Sequence, residues 1–265
     1  MKNLLKITAI ALIALTLTNC KKDKDKDPEP TPAPQTPAAT TGSLKVCFEA
    51  MVGDSELVFS TSTYTNQAGN TFNVSTYKYY ISNIKLTKTD NTVWTQPNSY
   101  YLVDHSNPNL ALLTLSGVPF GDYKAMEFMI GVDSARNNSG AQTGALDPTN
   151  GMFWSWSTGY IMAKFEGTSA QSPAAANALK FHIGGFSGAN KTMKIVSPSF
   201  GTETANVSSS ITPTIHMASN LLEWFQTPTT TNFSTTHTVH MPGAAANTVA
   251  SNYADMFTVE HIHND

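Results

Sequence analysis

Beyond residue 43 the chain alternates between apolar and polar positions with a period of two, the spacing of a half-buried strand. The pattern predicts strands over Leu44–Ala50, Tyr77–Thr89, Tyr100–Asp104, Tyr123–Val132, Phe153–Glu166, Leu179–Ile183, Thr192–Val196 and Ile211–Met217. Turn signals fall between them at Gly117 to Pro119, Gly184-Gly185 and Ser187-Gly188. Two stretches read as helical. NLLEWFQ at 220–226 is a short amphipathic turn or two, and Ala244–Phe257 spaces Val249, Tyr253 and Phe257 four apart on one face. Many strands with few helices, and no internal repeat, predict an all-β fold, a β-sandwich with short helical additions.

Composition agrees, since charged residues make up only 13% while Thr, Ser, Asn, Tyr and Val are plentiful, which favours strands. The N-terminus has another pattern. MKNLLKITAIALIALTLTNC carries Lys2 and Lys6, an apolar run from Ile7 to Leu17 and a short polar end. Residues 1–19 read as a secretory signal, too short and wrongly flanked for a membrane-spanning helix. The ending Leu17-Thr18-Asn19-Cys20 resembles a bacterial lipobox, which would make Cys20 the lipidated first residue of the mature chain and its anchor to the membrane. KKDKDKD and PEPTPAPQTPAATTG follow, so 20–42 is expected to be a solvated tether and 43–265 the folded domain. Cleavage removes Lys2 and Lys6, so 16 basic residues become 14 against 19 acidic ones, a net charge of −5. Without a basic patch beyond the tether, nucleic acid is not an expected partner.

The candidate chemistry is imidazole. Seven histidines are present: His105, His182, His216, His237, His240, His261 and His263. In an extended chain His261-Ile262-His263 puts two imidazoles on one side, within reach of one metal ion. His182, in KFHIGGFSG, needs a partner for its ring nitrogens, and a core hydrogen bond satisfies it as well as a metal does. His237 and His240 lie in a Thr-rich loop where solvent is the plainer neighbour, although such a loop can donate a ligand. With Cys20 committed to lipid, Cys47 is alone. In LKVCFEA it alternates onto one strand face with Lys45 and Glu49, and a small core residue is a plainer role for it than a reactive thiol. Asp133 and Asp147 flank a loop without the dense acidic spacing of a calcium site, which leaves capping and turn-making. No Gly-x-Ser-x-Gly elbow or HExxH occurs, and no acid, base and nucleophile can be nominated together, so the chain is not expected to be an enzyme.

In GMFWSWSTGY, Trp154 and Trp156 would share one face of a strand, as a large core plug or the wall of a site. Together with YKYYISNIKL, YYLVD, MIGVDSARN, KFHIGG and NYADMF, the block GALDPTNGMFWSWSTGYI resembles the MbnP-like proteins from about residue 44 to the C-terminus. These are secreted or lipid-anchored copper-binding proteins, some encoded beside a di-haem partner, MbnH. The resemblance implies a β-sandwich holding copper through histidines and a tryptophan that the partner oxidises to kynurenine. Trp154 or Trp156 would be that tryptophan, and His182, inside a matching motif, the ligand it implies. His216, His240, His261 and His263 enter the expected copper site on their chemistry alone. The expected function is an envelope-anchored copper protein for delivery, storage or sensing, lipid-anchored in the outer membrane and facing periplasm or surface. The other class the sequence allows is a metal-free adhesion or glycan-binding module that displays Tyr77, Tyr79, Tyr80, Tyr100 and Tyr101 to sugar rings.

Overall fold

The computed structural model describes residues 39–156 and 159–265. The expected signal, Cys20 and all but the last residues of the expected tether lie outside the described residues. The strands begin with β1 (Thr41–Val52), β2 (Ser55–Glu56), β3 (Tyr64–Thr65), β4 (Thr71–Lys88), β5 (Val93–Thr95), β6 (Tyr100–Asp104), β7 (Leu112–Pro119) and β8 (Gly121–Ile130). They continue with β9 (Phe153–Trp154), β10 (Gly159–Thr168), β11 (Ala178–Gly184), β12 (Lys194–Val196), β13 (Ala205–Val207), β14 (Thr214–Asn220), β15 (Thr238–Val239) and β16 (Phe257–His263). Three short α-helices, α1 (Pro108–Ala111), α2 (Ser134–Asn138) and α3 (Ala244–Asn252), decorate them. The fold is therefore an all-β sandwich with helical additions, and no described helix is long and apolar enough to cross a membrane.

In the first sheet β1 is central, parallel to β14 and antiparallel to β7, and β14 in turn pairs antiparallel with β16. The second sheet is built along the 18-residue β4, which pairs with β6, β8 and β10, and continues from β10 to β11 and β15. Alternation along β1 sends Leu44, Val46 and Phe48 into the core and leaves Lys45, Cys47 and Glu49 on the outer face. The length of β4 is made possible by two changes of parity. Ser75 is skipped in the pairing with β10, and Asn83, at φ 54°, interrupts the pairing with β8. Each extra residue is a bulge that moves the following side chains to the other face. The core positions accordingly run Phe72 and Val74, then Tyr77, Tyr79 and Ile81, then Ile84 and Leu86.

That placement removes the basis for an aromatic shelf. Tyr77, Tyr79 and Tyr80 are buried, and Tyr100 and Tyr101 are half-buried, because β4 is covered on both faces. One face meets the first sheet; the other lies under a second, smaller core containing Tyr80, Leu102, Met152, Trp154, Tyr160 and Met162.

Three predicted elements differ in detail. The strand expected over 153–166 is a hairpin, in which Gly159 pairs with Trp154 and Tyr160 with Phe153. The 220–226 element is a 3-10 turn over Leu221–Phe225, capped by Asn220. The helix expected to reach Phe257 ends at Asn252, and Phe257 opens β16. A period of four cannot distinguish Phe257 as the last helical residue from Phe257 as the first inward residue of a strand.

Candidate metal centre and the tryptophan face

The outer face of the first sheet carries a row of ligand-type side chains. Cys47 of β1 pairs with His216 of β14, His216 pairs with His261 of β16, and His263 stands opposite Thr214. A bulge positions the last two. Val259 pairs with Met217 and His261 with His216, so Glu260 is the extra residue. Strict alternation would place Phe257, Val259, His261 and His263 on one face. With Glu260 bulged, Phe257, Val259 and Ile262 pack on the core while His261 and His263 turn outward beside His216.

The imidazole nitrogens of His216, His261 and His263 lie within 4.8 Å of one another. Ligands on one ion with bonds of about 2.0–2.1 Å are at most ~4 Å apart, so an adjustment of about 1 Å brings all three onto one centre. The rings of His216 and His261 are stacked, 4.3 Å apart at 14°, and His263 sits 4.6 Å from His261 at 42°. Ring-plane lone pairs in a parallel stack point past one another, so ligation turns the rings on their side-chain torsions. His216 and His261 are half-buried and His263 is exposed on β16, which pairs only with β14 among the described residues. Glu49 Oε1 lies 2.7 Å from His216 Nδ1, a carboxylate–imidazole contact that orients the ring. Burial pushes the Cys47 thiol pKa up, and the Glu49 carboxylate adds to it.

The outer face of the second sheet holds the tryptophans. Trp154 is 7% exposed, Trp156 is 59% exposed, and their rings are 5.3 Å apart at 36°. Trp154 is thus a core plug, whereas Trp156 follows the end of β9 and faces solvent. The glycine of KFHIGG explains how the plug fits. A Cβ on Gly184 would stand 2.6 Å from Trp154 Cζ3 and 2.9 Å from the Tyr160 carbonyl oxygen, so only glycine lets the indole lie on β11. His182, two residues earlier, alternates onto this same outer face, with Phe181 and Ile183 in the main core. Its Nε2 lies 2.7 Å from Glu166 Oε1. Burial lowers the His182 pKa, and the Glu166 hydrogen bond offsets this only in part. Burial tends to raise the pKa of Glu166, but the His182 hydrogen bond and the Lys164 charge hold it below the usual carboxylate range.

Of the sequence-chosen histidines, the structure therefore brings His216, His261 and His263 together and places His182 in the other sheet. Both Trp154 and Trp156 belong to that other sheet as well, separated from the histidine row by the sandwich interior, in which packed sheets stand about 10 Å apart. His240 is exposed after β15 and His237 is half-buried before it. His105 stacks on Tyr77 at 4.8 Å and contacts the Tyr79 hydroxyl at 3.0 Å, which makes it a packing residue. Asp133 caps α2 by accepting from the Arg136 amide, and Asp147 accepts from the Thr149 amide, the capping roles expected of them. Cys47 and Glu49 also stand at this site, beside His216, although the sequence alone does not connect them to it. Their signal was the outward parity of LKVCFEA; the parallel pairing with β14 that aligns Cys47 with His216 is not written in either segment.

Two antiparallel-rich sheets, a histidine row outside one and a tryptophan hairpin outside the other, define a two-faced β-sandwich. The chain belongs to the MbnP family, whose model matches residues 41–242. A solved structure, MbnP from Methylosinus trichosporium, superposes with a TM-score of 0.50 over 78% of this chain and 84% of that one, at 12% identity, and so shares the fold. No curated protein matches the sequence. The family match includes Cys47, Glu49, His182, His216 and the tryptophan hairpin; His261, His263 and the NYADMF segment lie beyond it.

Proposed function

We propose that this MbnP-family protein is a copper-binding protein of the bacterial envelope, and that it holds the ion through His216, His261 and His263. The observation that carries the reading is the convergence of three imidazoles, from two strands, within 4.8 Å. Imidazole suits copper, which stands at the top of the divalent affinity order, so an all-nitrogen site exposed to envelope metals collects it. The chain's own residues supply the rest: Glu49 orients His216, and the Glu260 bulge presents the other two rings. The function is binding for delivery, storage or sensing, without catalysis. The lipobox-like Leu17 to Cys20 supports a lipid anchor in the envelope, with detergent partitioning lost in Cys20→Ser as its test. A tryptophan-oxidising di-haem partner of the MbnH type would meet Trp156 first, because Trp154 is covered.

Titration of divalent copper into the wild type, His216→Ala, His261→Ala/His263→Ala and His240→Ala tests the site. Wild type and His240→Ala should bind one ion alike and the other two should lose it. Equal affinity in all four proteins would overturn the reading.

A further inference from the structure

We propose that Cys47, Glu49 and His216 form a second donor set, joined to the histidine cluster through the shared His216, and that it takes a thiophilic ion, monovalent copper. The proposal rests on the histidine site above and extends it by one strand. Ligand atoms of these three residues also lie within 4.8 Å of one another. Their meeting follows from register: Cys47 and His216 are paired neighbours, and Glu49 is the next outward residue of β1.

Packing does not account for the thiol. The core positions of this stretch are Val46 and Phe48, and Cys47 points the opposite way, half-buried in the ligand row. The two donor sets differ in character. The three imidazoles form a borderline set reaching the exposed His263, whereas the Cys47 set adds a soft sulfur on a strand flanked on both sides by β7 and β14. Thiolate favours soft ions such as monovalent copper and zinc over hard divalent ions, and the copper reading of the neighbouring histidines makes monovalent copper the ion proposed. Because His216 belongs to both sets, full ligation of one withdraws it from the other, so the row holds one ion at a time. Passage from the edge set to the thiol set is a step of one strand spacing, about 4.8 Å. The geometry thus describes an ion that is already monovalent being captured at the edge and retained at the sulfur, with no change of oxidation state.

The test uses the full chain in a Cys20→Ser background, so that Cys47 is the only thiol. Monovalent copper is titrated anaerobically against a chromophoric chelator, nickel(II) is titrated in parallel, and Cys47 alkylation by iodoacetamide is timed with and without one equivalent of copper. The variants are Cys47→Ser, Cys47→Ala and His261→Ala/His263→Ala, with folding checked by thermal melts. One equivalent of copper should slow alkylation at least ~10-fold, and both Cys47 variants should bind it at least ~10-fold more weakly, on the scale at which even outer-shell changes act. Nickel binding should persist in the Cys47 variants and fall in the double-histidine variant. Unchanged alkylation together with wild-type copper affinity in the Cys47 variants would overturn the thiol set, and loss of nickel in the double-histidine variant would then leave the histidine site standing. Wild-type affinity for both ions in the double-histidine variant would overturn that site, with alkylation of the wild type still deciding the fate of Cys47.

Discussion

The two outer faces of the sandwich are built differently. Over the second sheet the residues are locked: Trp154 is wedged onto Gly184, Tyr160 donates its hydroxyl to the Leu146 carbonyl, and His182 is engaged by Glu166. Over the first sheet the side chains stand at the surface, stacked on one another, with only His216 held by a carboxylate. The first arrangement stores packing energy and the second stores ligands. The motifs on which the resemblance rested, GMFWSW and KFHIGG, gather on the packed face, while the best donor geometry lies on the other and depends partly on residues beyond the family match.

Substitutions should separate these roles. The largest effect on stability should come from Trp154→Ala, which opens a cavity under the hairpin and should cost ~3–5 kcal/mol in chemical denaturation, while Trp156→Ala, at an exposed ring, stays within ~0.5 kcal/mol. An equal loss for both would erase the distinction between plug and exposed ring. Acid comes next. Burial holds His105 well below its ordinary value, at about 4, despite the neighbouring Asp104 carboxylate. With an unfolded pKa near 6.5 the unfolded chain binds this proton more readily, so stability is complete above about 6.5 and falls by up to about 3 kcal/mol as pH drops toward 4. His105→Gln should flatten that slope in urea melts followed across pH 4–7; an unchanged slope would assign the acid sensitivity elsewhere. Gly184→Ala should be smaller, about 1–3 kcal/mol from overpacking against Trp154, and should leave metal binding on the far face unaltered. A coupled loss of copper would mean that the faces communicate.

Much of this was legible in the chain. Alternation marked the principal strands, and HIH correctly put His261 and His263 on a common side. What alternation could not say was which side, because FTVEHIH read strictly carries both imidazoles inward with Phe257; the choice belongs to the Glu260 bulge, which only pairing with β14 reveals. The partnership of Cys47, Glu49 and His216 was hidden for a related reason. It joins residues 167 positions apart through a parallel register, a non-local contact that no local pattern encodes. His182 was ambiguous for a different reason, since a histidine in a glycine-rich apolar strand has the same signature for a metal as for a hydrogen-bonding partner, and the contact with Glu166 emerges only in the fold.

The most direct test of the account is to locate the ion. Crystals of the protein loaded with one equivalent of copper, with diffraction data collected on both sides of the copper absorption edge, give an anomalous difference map that reports position without any mutation. A single strong peak is expected on the outer face of the first sheet, bounded by His216, His261 and His263 or displaced one strand toward Cys47. A peak instead beside His182, Trp154 and Trp156 on the outer face of the second sheet would contradict it.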